Sequence, residues 1–262
     1  MVRKLTAADL PAARELSDAA NWNQTTADWA RVLQLEPEGC FAVEEDGRIV
    51  ATATAVCYGS SLAWVGMVLT HPESRRKGHA RRVMEAALSW LDDRGVKASR
   101  LDATDMGLPL YEQLGYVVEC GAERWRAELP ASQPAAPTGE PDYALDLRAT
   151  GTDRSRLLAA LAPEGCFGSA RGYVMRRPGR LARYIGPCIA EDPAEAASLL
   201  CLALAGDAGH VFWDLLPGNE PAAALAKSLG FAPVRHLKRM VRGQAPPEQH
   251  NLIYALSGFE TG

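Results

Sequence analysis

The stretch Trp64-Val-Gly-Met-Val-Leu-Thr-His-Pro-Glu-Ser-Arg-Arg-Lys-Gly-His-Ala80 decides the fold of this chain. It predicts an apolar strand, a short basic loop and the start of a helix. The loop, residues 75–80, has the form Arg-x-x-Gly-x-Ala, whose small residues let backbone N–H groups approach an anion. A helix directly after the loop adds unpaired N–H groups and the positive end of its dipole. The stretch therefore predicts a pyrophosphate site, although a basic turn met alone is more often an ordinary solvated turn.

An apolar stripe with helical period follows the loop. It consists of Ala80, Val83, Met84, Ala87, Leu88 and Leu91. These positions recur every three or four residues, which predicts an amphipathic helix, and Gly95 supplies its stop signal. Strand, loop and helix are thus contiguous, as a phosphate-binding loop requires.

A second block, LDATDMGLPLYEQLGY, covers residues 101–116. It predicts a strand that ends near Thr104 and then a short helix. Pro109 suits the first turn of that helix and Gly115 suits its C-terminal cap, so Tyr111 lies inside it.

Together the two blocks resemble the GNAT superfamily of N-acetyltransferases, over roughly the first half of the chain. The resemblance implies that acetyl-CoA binds with its pyrophosphate on the basic loop. Its pantetheine arm then runs along the preceding strand as an added strand. The residues implied in cofactor binding are Val68, Leu69, Thr70, Arg75, Arg76, Lys77, Gly78, His79, Ala80 and Thr104. The side chain of His79 is expected to face phosphate or solvent, and Thr104 stands where the family usually has Asn. Tyr111 falls on the family's usual general acid.

Composition excludes several classes of protein. The chain has 262 residues, 47% hydrophobic and 23% charged, which is typical of a packed globular core. A net charge of −4 argues against a nucleic-acid binder. No apolar run reaches the roughly 18 residues that span a bilayer, and we recognise no signal peptide, so we expect a cytoplasmic protein without a membrane partner. Six scattered cysteines without a C-x-x-C pair predict free thiols and no bound metal.

The chain divides at AELPASQPAAPTGEPD, residues 127–142, whose prolines and small residues are typical of a linker. We predict an N-terminal domain over residues 1–128, a linker over 129–142 and a C-terminal domain over 143–262. The two halves repeat weakly, since Pro109–Tyr116 resembles Ala224–Phe231. The C-terminal half resembles a YitH-like, GNAT-related acetyltransferase domain. The expected fold is α/β, with tandem GNAT-like domains, each a mixed, mostly antiparallel twisted sheet flanked by helices.

The two halves differ in chemistry. In the second half, AEDPAEA at residues 190–196 replaces the basic loop, and its acidic side chains would repel a pyrophosphate. Ala226 stands where the first half has Tyr111. We therefore predict one active half and one degenerate half, which shapes the substrate pocket or holds the first half in place.

The resemblance implies direct transfer of an acetyl group from acetyl-CoA to a primary amine of a small molecule. A backbone N–H near Val68 would stabilise the oxyanion, and Tyr111 would protonate the departing thiolate. Asp28, Asp102, Asp105 and a water chain all remain open as the route for the amine proton. The alternatives are a non-catalytic acyl-CoA-binding or sensing protein and a protein lysine or N-terminal acetyltransferase. The sequence does not distinguish a monomer from a homodimer.

The segment after the first predicted helix is the candidate acceptor site. Trp22, Asn23 and Gln24 offer an aromatic face beside amide groups, which suits a small polar substrate. The same segment also fits a helix start, with Thr25 as the N-cap and Trp29 in the core.

Two features of the second half can likewise be interpreted either as part of a binding site or as structural. Trp213 and Asp214 end a predicted strand, where they either reach a shared cleft or serve as core and cap. Five arginines between residues 171 and 183 predict a solvated hairpin or, as the sharper alternative, a site for an acidic substrate.

Overall fold

The structure is a computed structural model that describes residues 1–262. The N-terminal half comprises β1 (Val2–Lys4), α1 (Leu10–Ala19), α2 (Thr26–Leu35), β2 (Cys40–Glu45), β3 (Arg48–Tyr58), β4 (Leu62–Thr70), α3 (His79–Asp93), β5 (Ala98–Ala103), α4 (Leu108–Gln113) and β6 (Val117–Leu129). The C-terminal half comprises α5 (Tyr143–Thr150), α6 (Ser155–Leu161), β7 (Cys166–Ser169), β8 (Gly172–Arg177), β9 (Arg183–Ala190), α7 (Pro193–Leu204), β10 (Gly209–Leu215), α8 (Glu220–Ser228), β11 (Ala232–Gly243) and β12 (Ile253–Ala255). None of these helices combines the length and the apolar composition needed to cross a membrane.

Local sequence signals place the helices around the predicted site. Helix α3 buries the predicted stripe from Val83 to Leu91, and Gly95 follows its end with a φ of +66°. Helix α4 contains Tyr111, as predicted, with Pro109 in its first turn and Gly115 just beyond its end at a φ of +87°. The coil of the linker begins at Pro130, two residues after the predicted end of the N-terminal domain, because β6 continues through Leu129.

A single twelve-stranded sheet joins the two halves, in the order β1-β2-β3-β4-β5-β11-β6-β10-β9-β8-β7, with β12 on β9. The halves exchange strands in the middle of this sheet. Strand β11 of the C-terminal half lies between β5 and β6, and β6 of the N-terminal half pairs with β10. Each half of the sheet is therefore completed by a strand from the other half of the chain.

A buried ion pair holds each of the two exchanged strands. Arg239 of β11 donates to both oxygens of Asp102 on β5, at 3.0 and 3.1 Å. Arg124 of β6 donates to both oxygens of Asp214 on β10, at 2.7 and 2.6 Å. Loss of Asp214 would leave the buried guanidinium of Arg124 without an ion-pair partner, which costs on the order of 3–5 kcal/mol. Arg239 has a second carboxylate partner, Glu248, at 3.5 Å. The two seams are thus built in the same way, as expected for a repeated unit.

The hydrophobic core has the same shared character. One cluster packs α3 against the N-terminal strands, with Val83 and Met84 fully buried. A second packs α7 against the C-terminal strands. A third, of 30 buried residues, contains side chains of both halves, among them Trp29 and Leu157. Because this cluster crosses the chain midpoint, burial of its apolar surface couples the stability of the two halves.

Cleavage of the linker tests this coupling. Residues 130–140 are mostly exposed coil, so a protease is expected to cut there first. The two fragments should then co-elute in size-exclusion chromatography and unfold in one calorimetric transition, because each contributes a strand to the other's part of the sheet. Fragments that separate without denaturant, or that unfold in two transitions, would show that the exchanged strands do not couple the halves.

Candidate functional site

The first element of the site is a gap between β4 and β5. The two strands pair in parallel only at Ala63–Ser99 and Trp64–Arg100, and they diverge after that point. On its other side, β4 carries a bulge in which Met67 has a φ of +48°, and neither Met67 nor Val68 has a register partner on β3. The Met67 carbonyl accepts from the Thr52 hydroxyl at 2.8 Å, which leaves Val68 as the residue whose main chain is available to a ligand that enters the gap.

The predicted anion loop follows β4. Arg76 and Gly78 both adopt positive φ values, +62° and +78°, and Gly78 is the N-cap residue of α3. No side chain caps this helix, so the N–H groups of its first turn have no side-chain acceptor. The side chains of Arg75, Arg76 and Lys77 are exposed around them. The loop thus has the geometry and the charge of an anion site.

His79 contributes to this loop differently from the expectation that its side chain faces phosphate or solvent. Its imidazole is buried, and Nε2 lies 3.6 Å from a carboxylate oxygen of Glu45 on β2. Nε2 has no hydrogen-bond partner. The side chain turns inward because it lies on the face of α3 that packs on the sheet. His79 can therefore offer a ligand only its backbone N–H.

Tyr111 lies at the wall of a cavity that opens into the gap. Its ring packs on Gly107, where a Cβ atom would lie only 2.7 Å from the ring, and meets Tyr116 edge-on with centroids 6.2 Å apart. The Tyr116 hydroxyl is paired with the Ser99 hydroxyl at 2.7 Å, whereas no protein group hydrogen-bonds to the hydroxyl of Tyr111. Burial raises the pKa of Tyr111 above its ordinary value. The hydroxyl is therefore a protonated donor with no partner.

The cavity has a volume of about 80 Å³ and is lined by both halves of the chain. The N-terminal half contributes the β4 bulge, Thr104 and Tyr111. The C-terminal half contributes Arg235 and Leu237 from β11 and Phe259 and Glu260 from the segment that follows β12.

The segment 257–262 closes one side of this cavity. The indole of Trp64 donates to the carbonyl of Phe259 at 3.0 Å, and the hydroxyl of Tyr58 donates to the carbonyl of Thr261 at 2.6 Å. A Cβ at Gly66 would lie 2.5 Å from the carbonyl oxygen of Glu260, so only glycine allows this approach. Sequence reasoning missed the segment. The glycine inside an otherwise apolar strand was the one signal of a close backbone contact.

Two family models match the chain. An acetyltransferase (GNAT) family model matches residues 3–116, and an acetyltransferase (GNAT) domain model matches residues 143–255. The chain belongs to the GNAT superfamily of acetyltransferases. The uncharacterized N-acetyltransferase YitH of Bacillus subtilis is 28% identical over 236 residues, which cover 80% of each chain. These matches confirm the family predicted for both halves.

Solved structures confirm the tandem GNAT fold. A putative acetyltransferase from Pyrococcus horikoshii superimposes with a TM-score of 0.85 at 23% identity, over 100% of this chain and 95% of its own. A tandem GNAT protein from the clavulanic acid biosynthesis pathway superimposes with a TM-score of 0.67 at 17% identity, over 95% of this chain and 99% of that protein's chain. At these identities the likeness shows the fold alone.

The second GNAT domain blocks its own equivalent of the gap. Strand β12 pairs with β9 at Ile253–Ile189 and Ala255–Cys188, where the first domain leaves β4 free. The N–H of Leu256 then donates to the carbonyl of Asp214 at 2.8 Å. The chain itself thus occupies the groove that an added strand would need.

The anion loop of the second GNAT domain is also blocked. The N-cap of α7 is Asp192, whose carboxylate accepts from the N–H groups of Ala194 and Glu195 at 2.9 and 3.0 Å. The groups that a phosphate would contact are therefore already satisfied by a negative charge. This contrast with Gly78 gives the predicted acidic repulsion a structural basis.

The predicted acceptor residues have different environments. Trp22 and Gln24 line the cavity. Asn23 lies outside it, because its carboxamide accepts from the N–H groups of Leu181 and Ala182 and so bridges the two GNAT domains. The helix start is confirmed as well, since Thr25 caps α2.

The arginine hairpin and the end of β10 are structural. Arg177 is buried and pairs with Asp28 at 3.3 Å and Glu260 at 3.2 Å, so the expectation of a solvated hairpin is wrong at this position. Trp213 is fully buried and donates its indole N–H to the carbonyl of Tyr254 at 2.7 Å.

No group of three or more His, Cys, Asp or Glu side chains in residues 1–262 is arranged to hold a metal ion.

Proposed function

We propose that this protein is an acetyl-CoA-dependent N-acetyltransferase that acetylates a primary amine of a small molecule. One observation carries the proposal. The unbonded, protonated hydroxyl of Tyr111 opens into the same cavity as the β4 bulge, where Val68 has no register partner on β3, and the uncapped α3 terminus follows that strand. A donor, a free strand edge and an anion site therefore occur together in one half of the chain only.

The residues present fit acetyl-CoA along this path. The Gly78 loop and the exposed cations before it would hold the pyrophosphate, and Val68, Leu69 and Thr70 would pair with the pantetheine arm. Thr104 lines the cavity at the end of that path. The backbone at Val68 would donate to the oxyanion that forms as the amine attacks the thioester. Tyr111 would then give its proton to the thiolate, since its raised pKa keeps it protonated.

The amine must lose a proton before it attacks. Two carboxylates line the cavity, Asp102 and Glu260. Asp102 accepts from Arg239 at both of its oxygens, whereas Glu260 contacts Arg177 through Oε1 only and accepts from the Gln24 amide at Oε2. Asp28 does not line the cavity, and its Oδ1 pairs with Arg31 and Arg177 while its Oδ2 accepts from the N–H of Thr25. These contacts favour a route through Glu260 or water over the two aspartates.

The position of the C-terminal half supports a small acceptor. The segment 257–262 and strand β11 line the cavity opposite the N-terminal strands, so the reacting centre does not lie in a groove formed by the N-terminal half alone. A protein acetyltransferase would need an open groove for the polypeptide on either side of the reacting amine.

Release of CoA from acetyl-CoA tests the proposed function. A thiol reagent would follow release across amino acids, polyamines, aminoglycosides and simple amines, and mass spectrometry would identify the acetylated product. We expect turnover with at least one small amine. Tight acetyl-CoA binding without turnover of any of them would favour a sensor or a protein acetyltransferase instead.

A further inference from the structure

The cavity contains an arginine without an anionic partner. Arg235 of β11 lines the cavity and forms no hydrogen bond or ion pair with any protein group. Its cross-strand neighbour Arg124 is also cationic, but that guanidinium is neutralised by both oxygens of Asp214. Burial and the charge of Arg124 lower the pKa of Arg235, and the more distant charge of Asp214, which is already paired with Arg124, acts in the opposite direction. Such a cation is stabilised by an anion from outside the protein.

A group that lacks a hydrogen-bond donor lines the same cavity. The Nε2 of Gln24 donates to a carboxylate oxygen of Glu260 at 3.0 Å. The other oxygen of Glu260 pairs with Arg177 at 3.2 Å, so the carboxylate acts as the acceptor of this bond, which orients the amide. The Oε1 of Gln24 is then buried without a donor. An unsatisfied buried acceptor is unfavourable, and an ammonium or amine N–H would satisfy it.

The rest of the lining fits a small molecule between these two groups. Trp22 and Phe259 contribute aromatic surface for an apolar body. Glu260, whose charge is shared with Arg177, adds carboxylate acceptors on the Gln24 side, and Arg235 provides a cation without a partner. The cavity thus offers a ligand both a cation, at Arg235, and hydrogen-bond acceptors, at Gln24 and Glu260.

We propose that the acceptor is a small amine that also carries a carboxylate, an amino acid or a close derivative of one. The carboxylate would bind Arg235, and the amino group would lie at the Oε1 of Gln24 and the carboxylate of Glu260. The inference rests on the proposed function and names its substrate class. It also assigns the C-terminal half a role, since β11 and the segment 257–262 provide Arg235 and Glu260.

Matched pairs of amines test the inference. Each pair consists of an amino acid and the amine left after its decarboxylation, such as phenylalanine and phenethylamine, assayed for CoA release at saturating acetyl-CoA. We expect kcat/KM to be at least about tenfold higher for the amino acid, since a charge-assisted contact is lost with the carboxylate. Arg235→Gln should raise the KM for the amino acid by roughly 10- to 100-fold and leave that for the decarboxylated amine unchanged.

Three controls separate recognition from stability. Arg235→Lys should restore part of the preference, because it keeps the charge but loses the bidentate geometry. Lys238→Gln removes a cation from the same strand at an exposed position outside the cavity, and should change neither KM. The melting temperature of Arg235→Gln should not fall, since no hydrogen bond or ion pair of the protein is removed.

The outcomes distinguish the inference from the proposed function. Equal or faster turnover of the decarboxylated amines would overturn the inference and leave the acetyltransferase proposal standing. Binding of acetyl-CoA without turnover of any amino acid would also overturn the inference. Absence of acetyl-CoA binding to the wild-type protein would instead contradict the proposed function itself.

Discussion

Replacement of Tyr111 by phenylalanine is expected to lower kcat by about 10²- to 10⁴-fold, the usual contribution of a general acid. The affinity for acetyl-CoA should not change, because the proposed binding contacts are made by the β4 main chain and the Gly78 loop. The hydroxyl also makes no hydrogen bond to the protein, so its loss should not disturb those elements. The ring still packs on Gly107 and Tyr116, so the fold should remain intact. Steady-state CoA release and calorimetric titration with acetyl-CoA measure the two quantities separately.

Tyr116→Phe is the matched control. It removes a hydroxyl from the neighbouring ring, whose partner is Ser99 rather than the cavity. We expect about 1 kcal/mol of lost stability and an unchanged kcat. Because burial raises the pKa of Tyr111, its protonated form persists into alkaline solution, and the wild-type rate should not fall as pH approaches 10. An unchanged kcat in Tyr111→Phe at every pH would contradict the assignment of the acid.

Replacement of Gly78 by aspartate is expected to weaken acetyl-CoA binding by roughly 100-fold or more. The second GNAT domain provides the precedent, since Asp192 there satisfies the first N–H groups of α7 with its own carboxylate. The same carboxylate before α3 would repel a pyrophosphate and compete for its donors. Loss of two charge-assisted hydrogen bonds of about 1.5–3 kcal/mol each accounts for the size of the effect.

Gly59→Asp provides the control for charge and backbone conformation. Gly59 has a φ of +65°, open space around its Cα, and a position at the other end of β4 from the anion loop. The Gly59→Asp variant should pay a similar cost for placing a side chain at a positive φ, and its affinity for acetyl-CoA should equal that of the wild type. Equal affinities of the Gly78→Asp variant and the wild type would show that the pyrophosphate binds elsewhere.

The parts of the site that sequence predicted are those fixed by local signals. The stripe from Val83 to Leu91 and the Gly95 stop define α3 within one stretch of chain. The small residues of its loop report the positive φ at Gly78. Pro109 and Gly115 bracket the helix that carries Tyr111. In each case the residues that determine the geometry lie within a single element or in the turns directly beside it.

The parts that sequence did not predict depend on contacts between distant residues. Strands β6 and β11 are repeats of one another, so each suits the position beside β5 or beside β10, and no local pattern distinguishes the two pairings. Arg235 enters the cavity only because of that exchange. The approach of Glu260 to Gly66 joins residues 194 positions apart in the chain. Such contacts are determined by packing of the whole sheet rather than by propensity.

The most direct test of the account is the stoichiometry of CoA binding to the full chain, measured by isothermal titration calorimetry. The first GNAT domain keeps an open strand edge at the β4 bulge and an uncapped α3, whereas β12 and Asp192 close the equivalent sites of the second. We predict one CoA bound per chain, with an affinity that falls by roughly 100-fold or more in Gly78→Asp. Two CoA molecules per chain, or one that binds Gly78→Asp with the wild-type affinity, would contradict this division between the domains.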